Sequence, residues 1–239
     1  MSTASALELT ANWPVDHVSA AVIDTDGDVQ TVGDPRRSFR LASISKPITA
    51  WATLVAVEEG IISLDDPLGQ PGCTVRHLLA HAGGYAFDGT EPISRPGTRR
   101  SYSNTGIEMV ADAVASASGM PFADYLGDAV LRPLGMSATE LRGSPAHGIW
   151  STLDDVVAFA QDVMASRLLS PATVATATAP VFPALAGVIL VSDGSTRVRG
   201  VWVSRSVARS NRTGPEHAIH PPRLVTSVVP VPSCGWIRG

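Results

Sequence analysis

Residues 40–51 read RLASISKPITAW, and this stretch contains the only lysine in the chain. Of the 18 basic side chains, 17 are arginine, and the exception is Lys46, three residues after Ser43. Arginine stays protonated in proteins, whereas lysine can lose its proton when it is buried or lies near another cation. Because arginine supplies every other cation, we interpret the lone lysine as a candidate base.

The spacing of Ser43 and Lys46, i and i+3, places both side chains on one face of a helix. Pro47 in the first turn and Gly60 after the last predict a helix over residues 43–59. A neutral Lys46 could take the proton of Ser43 and activate it as a nucleophile. S-x-x-K is a short pattern, so a helix cap at Ser43 with a surface lysine is the alternative.

A second candidate element is Tyr102-Ser103-Asn104, just before a predicted helix over residues 104–118. A tyrosine hydroxyl can relay a proton, and an asparagine amide can hold a substrate carbonyl. The alternative is a helix cap at Asn104 and a core position for Tyr102.

A pair of histidines, His77 and His81, has the i and i+4 spacing of two metal ligands on one helix face. No third ligand is placed nearby, so we interpret them as packing or capping residues and predict no metal and no other cofactor. Cys73 and Cys234 share no metal spacing, and we interpret both as free thiols.

The composition excludes several classes of protein. The chain has 239 residues, of which 44% are hydrophobic and 17% charged, as in a folded domain with a sizeable core. The net charge of −4 gives no reason to propose nucleic acid or an anionic membrane as a partner. No apolar run reaches the roughly 18 residues of a spanning helix, and the N-terminal residues do not form a signal peptide. The expected location is the cytoplasm.

The order of predicted elements is a hairpin followed by helices. The alternating residues 17–33 predict a β-hairpin that turns at Asp26-Gly27. Further helices are predicted over VRHLLAH (75–81), PFADYLGDAVL (121–131) and LDDVVAFAQDVMAS (153–166). A lone hairpin is only marginally stable, so the C-terminal third is expected to supply more strands.

Five blocks together resemble the serine β-lactamase and penicillin-binding-protein superfamily, in particular its class C-like branch of D-Ala-D-Ala carboxypeptidases and esterases. They are FRLASISKPITAW, VEEGIISLDDPL, VRHLLAHAGGY, YSNTGIEMVADAVASASGMPFADYLGDAVLRPLGM and IWSTLDDVVAFAQDV, in the family's order. The resemblance implies an α+β fold (an α/β sandwich), in which helices flank an antiparallel sheet. It implies a hydrolase domain over residues 1–189, with a mostly helical sub-domain at about 61–149.

The same resemblance implies roles for four residues. Ser43 would be the acylated nucleophile, Lys46 the general base or its partner, Tyr102 the proton relay and Asn104 a substrate-orienting amide. The Ser43 N–H would form half of the oxyanion hole. Whether Lys46 or Tyr102 is the base stays open. The expected substrate is a small-molecule ester, amide or β-lactam.

The C-terminal residues depart from the family pattern. A third motif, K-T-G or H-x-G, lies on a strand that supplies the second oxyanion N–H in the family, and no such motif follows Val181. Residues 190–239 carry seven arginines and two acids, a formal +5, whereas residues 1–189 carry a formal −9.

The tail at 190–239 is either a basic extension or the product of a shifted reading frame near Ile189–Leu190, and we favour the shifted frame. The neighbouring frame of residues 223–238 permits H-x-G followed by an apolar strand. Such a tail would leave the sheet incomplete. It also leaves two alternatives to an active hydrolase: an inactive relic, or a non-enzymatic scaffold whose protease-resistant core ends near residue 189.

Overall fold

The computed structural model describes residues 7–191 and 194–198 of the chain. Its α-helices are α1 (Ser45–Glu58), α2 (Val75–Leu79), α3 (Asn104–Ser118), α4 (Phe122–Leu126), α5 (Leu153–Met164) and α6 (Pro171–Thr178). Short 3₁₀ segments lie at Leu9–Asn12 and Ala42–Ile44, and a π-helical turn at Gly127–Leu131 continues α4. The strands are β1 (Ala20–Ile23), β2 (Val29–Val32), β3 (Phe39–Arg40), β4 (Arg100–Ser101), β5 (Glu140–Leu141), β6 (Ile149–Ser151), β7 (Gly187–Val191) and β8 (Gly194–Val198).

The predicted hairpin is present, with β1 and β2 antiparallel and Ile23 opposite Val29. Gly27 has a φ of 89°, which a residue with a side chain rarely adopts, so the turn requires glycine there. All four residues of β1 are buried and pack against α5, whereas all four of β2 are exposed. Among the described residues this sheet has two strands, and the expectation that the sheet is incomplete depends on residues 199–239, which are not described.

Two three-stranded sheets complete the strand pairing of the described residues. One has the order β3-β6-β5 and is antiparallel, and it lies beside the start of α1. The other has the order β4-β7-β8, and β4 pairs with β7 in parallel rather than in the antiparallel sense that we expected. A parallel pair requires a long crossover connection, and the chain between β4 and β7, which contains α3 to α6, provides one.

The five predicted helices are present, with one correction, and α6 was not predicted. The segment VRHLLAH was predicted to be helical throughout, but α2 ends at Leu79, and His81 has a φ of 56°. His77 and His81 therefore do not lie on one helix face, and the spacing that suggested a metal pair is not helical in the folded chain.

The larger of two apolar clusters among the described residues joins α1, α3, α4 and α5, and the smaller one contains Cys73, Val75, Leu78, Tyr85 and Val110. The fully buried members of the larger cluster include Ile48, Ala52, Val114, Leu126 and Ile149. The larger cluster contains residues from inside and outside the sub-domain predicted at 61–149, and this domain division stays a prediction. Within the described part of the chain, no helix combines the length and apolar character needed to cross a bilayer.

Several expectations fall on residues 199–239, which lie outside the described residues. They include the search for a third motif at His217 and His220, the free thiol at Cys234, and the shifted reading of residues 223–238. The proposed break near Ile189–Leu190 falls within β7.

Candidate active site

Ser43 lies in the 3₁₀ segment that leads into α1, and its side chain is exposed. The preceding residue, Ala42, has a φ of 47°, a conformation that costs free energy for a residue with a Cβ. Strand β6 holds this turn on both sides. The Leu41 N–H donates to the Ile149 carbonyl at 2.8 Å, and the Ile149 N–H donates to Ser45 Oγ at 3.1 Å. The nucleophile candidate is thus fixed by its neighbours and open to solvent.

Lys46 is 4% exposed, and its ammonium group has an acceptor for each of its three hydrogens. Nζ donates to Ser43 Oγ at 3.2 Å, to Asn104 Oδ1 at 2.7 Å and to the Ala146 carbonyl at 3.0 Å. The alternative of a surface lysine is therefore wrong. The lysine is a fixed part of the cluster around Ser43.

Burial lowers the pKa of Lys46 to about 8, although the carboxylates of Glu108 and Asp88 act in the opposite direction. A buried ammonium loses hydration, which favours the neutral amine. A substantial fraction of Lys46 is then neutral at slightly alkaline pH, while its nitrogen stays within hydrogen-bond distance of the Ser43 hydroxyl.

Tyr102 is partly buried, and its ring centroid lies 4.6 Å from Lys46 Nζ. Burial raises the pKa of Tyr102, and a hydrogen bond from the Ser43 side chain acts in the opposite direction. The phenol is accordingly protonated at neutral pH. It lies beside both Ser43 and Lys46, where a protonated hydroxyl can donate a proton during a reaction.

Asn104 begins α3, and Ser103 rather than Asn104 is the helix cap, because the Ser103 side chain accepts from the Gly106 N–H at 3.1 Å. Both the oxygen and the nitrogen of the Asn104 amide form hydrogen bonds. Its oxygen accepts from Lys46, and its nitrogen donates to Asp88 Oδ1 at 2.9 Å.

The loop at residues 144–148 forms a further side of the cluster, and the sequence analysis missed it. The Ala146 carbonyl accepts from Lys46, and the Pro145 carbonyl accepts from Thr49 Oγ1 at 2.8 Å. The Ser144 hydroxyl donates to Glu108, one turn along α3 from Asn104. The hydrogen-bond acceptor that this loop offers to Lys46 is a backbone carbonyl. Any residue type provides such a carbonyl, so no sequence motif could have indicated it.

His81 packs on Tyr102, with 4.5 Å between the ring centroids, and its Nδ1 accepts from the Ser103 N–H at 3.2 Å. Burial, together with the charges of Lys46 and Arg100, lowers the pKa of His81 to about 3. The imidazole is therefore neutral. Its contacts agree with the packing role that we preferred for it over a metal ligand.

The structure brings all four predicted site residues, Ser43, Lys46, Tyr102 and Asn104, into one cluster, and it adds Asp88, Glu108 and the Ala146 carbonyl. The arrangement joins an exposed hydroxyl to a buried amine of lowered pKa and a neutral phenol. Activation of a serine nucleophile requires a base within hydrogen-bond reach, and Lys46 is within that reach of Ser43.

Comparisons with known proteins agree with this geometry. A family model described as Beta-lactamase matches residues 15–194. The crystal structure of a beta-lactamase from Mycobacterium bovis (Mb2281c) is 46% identical, with a TM-score of 0.76, over 80% of this chain and 71% of that chain. A penicillin-binding protein from Bacillus subtilis is 31% identical, and the match covers 43% of this chain and 30% of that protein. Esterase EstB from Burkholderia gladioli is 29% identical, and the match covers 44% of this chain and 39% of the esterase. The chain thus spans less than two fifths of the length of these two curated relatives.

Proposed function

The chain belongs to the beta-lactamase family, and from this premise we propose that it is a serine hydrolase whose Ser43 carries the acyl group. The observation that carries the proposal is the contact of Lys46 Nζ with Ser43 Oγ at 3.2 Å, made by a buried lysine with a pKa of about 8. A base must reach the proton that it abstracts and be partly deprotonated near the working pH. Lys46 meets both conditions.

In the proposed reaction, neutral Lys46 takes the proton of Ser43 as Oγ attacks the carbonyl carbon of the substrate. The negative charge that develops on the carbonyl oxygen is stabilised by the Ser43 N–H. Tyr102, which is protonated, donates to the leaving group and recovers its proton from the Lys46 ammonium. Water then attacks the acyl-enzyme ester and releases the acid, with the same groups moving the proton in reverse.

We propose a small-molecule ester, amide or β-lactam as the substrate. The three relatives above are named as a beta-lactamase, a penicillin-binding protein and an esterase, which supports an acyl donor without choosing among the three carbonyl classes. The exposed position of Ser43 supports access from solvent. The cytoplasmic location stays a prediction from the sequence.

A fluorophosphonate probe, which reacts with activated serines, tests the assignment. We expect the probe to label the wild type on the peptide that contains Ser43 and to fail on Ser43→Ala. Ser116→Ala is the matched control, since Ser116 is an exposed serine on α3 outside the cluster and its loss should leave labelling unchanged. Equal labelling of Ser43→Ala and wild type would refute the assignment. A folded wild type without any label would favour the inactive-relic or scaffold alternative.

A further inference from the structure

The Asn104 amide is held between two groups with opposite requirements. Its nitrogen lies 2.9 Å from Asp88 Oδ1, and its oxygen lies 2.7 Å from Lys46 Nζ. An ionised carboxylate only accepts hydrogen bonds, and an ammonium only donates them. The two partners together therefore select one of the two orientations of the amide, with the oxygen toward the lysine.

Asp88 is exposed, yet the backbone on each side of it is fixed. The Phe87 carbonyl accepts from the Asn104 N–H at 2.7 Å, and the Gly89 carbonyl accepts from Thr105 Oγ1 at 3.2 Å. Both contacts tie the loop to the first turn of α3. The Asp88 carboxylate is consequently placed against the Asn104 amide by the loop backbone.

We infer that Asp88 is a positioning residue of this site, which orients the Asn104 amide so that its oxygen holds Lys46 beside Ser43. Hydrogen bonds connect the groups in the order Asp88, Asn104, Lys46 and Ser43. The inference rests on the proposed function in taking Ser43 and Lys46 as the reacting pair. Asp88 belongs to neither the S-x-x-K pattern nor the Tyr-x-Asn pattern.

Other charges near Lys46 must be separated from the effect of Asp88. Glu108 faces Lys46 from α3 and has a larger effect than Asp88 in raising the pKa of the lysine. His81, from the loop after α2, is neutral, and Tyr102 is protonated. The Arg100 cation lowers the pKa of His81, as Lys46 does. A change at Asp88 leaves all of these groups in place.

The single lysine permits a test that is independent of activity. In protein labelled with ¹³C-lysine, one ε-carbon resonance reports the titration of Lys46, because the full chain has no other lysine. We expect a lower pKa of Lys46 in Asp88→Asn, which loses the charge but keeps an oxygen acceptor for Asn104. We expect a still lower pKa in Asp88→Ala, where the amide is free to turn its NH₂ group toward the ammonium. Glu91→Gln removes an exposed carboxylate from the same loop, and Lys46 should titrate in this variant as it does in the wild type.

The rate of fluorophosphonate labelling gives the second readout, measured well above the pKa of Lys46. Asp88→Asn should label at close to the wild-type rate, since Asn104 keeps its partner. Asp88→Ala should label about tenfold more slowly or worse, because the amide and the amine lose their fixed arrangement. Thermal melting of each variant checks that the fold is retained.

The outcomes separate the two proposals. An Asp88→Ala variant that titrates and labels as wild type overturns the inference about Asp88, and so does a Glu91→Gln variant that shifts as much as Asp88→Ala. A wild type that fails to label refutes the proposed function instead, and the lysine titration still decides whether Asp88 positions Asn104 and Lys46.

Discussion

At the scale of a single residue, Lys46 combines two properties that usually conflict. Its three hydrogen bonds stabilise the protonated amine, whereas burial lowers its pKa to about 8. The bonds fix the position of the nitrogen, and burial makes the neutral form accessible. Arginine could satisfy the same acceptors but would remain charged, which explains why a chain that otherwise uses arginine has a lysine here.

The proposed role of Lys46 predicts a specific pH dependence of the rate. The neutral amine is the active form, so kcat/KM for an uncharged ester should rise as the pH increases through about 8 and then level off. Lys46→Arg keeps a cation but cannot supply a neutral base near this pH. It should lose roughly 100-fold or more in kcat/KM, within the range of general-base contributions. A profile that is flat between pH 6 and 10, or an Arg variant of near wild-type activity, would contradict the role.

How far the sequence predicted each site residue depends on the kind of group that the residue contributes. Ser43, Lys46, Tyr102 and Asn104 were predicted because their side chains form recognisable patterns and lie in segments that resemble a family. Asp88 was missed, because an exposed aspartate in a glycine-containing loop is an ordinary turn residue until the fold brings it to Asn104. The contact of the Ala146 carbonyl with Lys46 could not be predicted from the sequence, since every residue has a backbone carbonyl.

At the scale of elements, the strand β4 connects parts of the chain that are distant in sequence. Arg100 of β4 is 8% exposed and donates to the Ala80 carbonyl after α2, and to the Val181 and Phe182 carbonyls before β7. Burial lowers the pKa of its guanidinium, because the buried cation loses hydration. The arginine is retained in this position by carbonyl oxygens rather than by a carboxylate among the described residues.

Replacing Arg100 should therefore destabilise the connection between these elements. We expect Arg100→Met to lower the free energy of unfolding by about 2 kcal/mol, because part-buried carbonyl oxygens lose hydrogen bonds to a charged donor. Urea unfolding of the full chain provides the measurement. Arg95→Met is the matched control, since Arg95 is exposed, and its free energy of unfolding should stay within about 0.5 kcal/mol of wild type. Equal effects of the two substitutions would show that Arg100 does not join these elements.

The elements themselves were predictable where a local signal was strong. The hairpin at Asp26-Gly27 and the helices α1, α3 and α5 follow from turn residues, caps and apolar spacing. The pairing of β4 with β7 was not predictable, because its two strands lie far apart in sequence and β4 has only two residues. The end of α2 at Leu79 was missed as well, since the local pattern continues to His81 and gives no stop signal.

In the whole molecule, burial makes Lys46 titrate at a lower pH in the folded chain than in the unfolded chain, and the surrounding charges oppose this shift. Residues 1–189 carry a formal −9, and within them the carboxylates of Asp88 and Glu108 act directly on Lys46. Even so, burial outweighs these carboxylates, and the pKa falls from 10.5 to about 8. A group whose pKa differs between the two states makes stability depend on pH, so the proposed catalytic lysine should also be detectable in the unfolding of the whole molecule.

The sign of this dependence follows from proton binding. Below about pH 8, Lys46 is protonated in both states, so the free energy of unfolding does not change with pH through this group. Between about 8 and 10.5 the unfolded chain binds more protons than the folded chain, so stability rises with pH. Relative to Lys46→Met, which cannot titrate, the wild type should gain on the order of 3 kcal/mol across this window. Denaturant unfolding of both proteins at several pH values measures the difference, which removes the contribution of tyrosines common to both. Two parallel profiles would show that Lys46 keeps an ordinary pKa in the folded chain, and the assignment of Lys46 as a base would then fail together with this prediction.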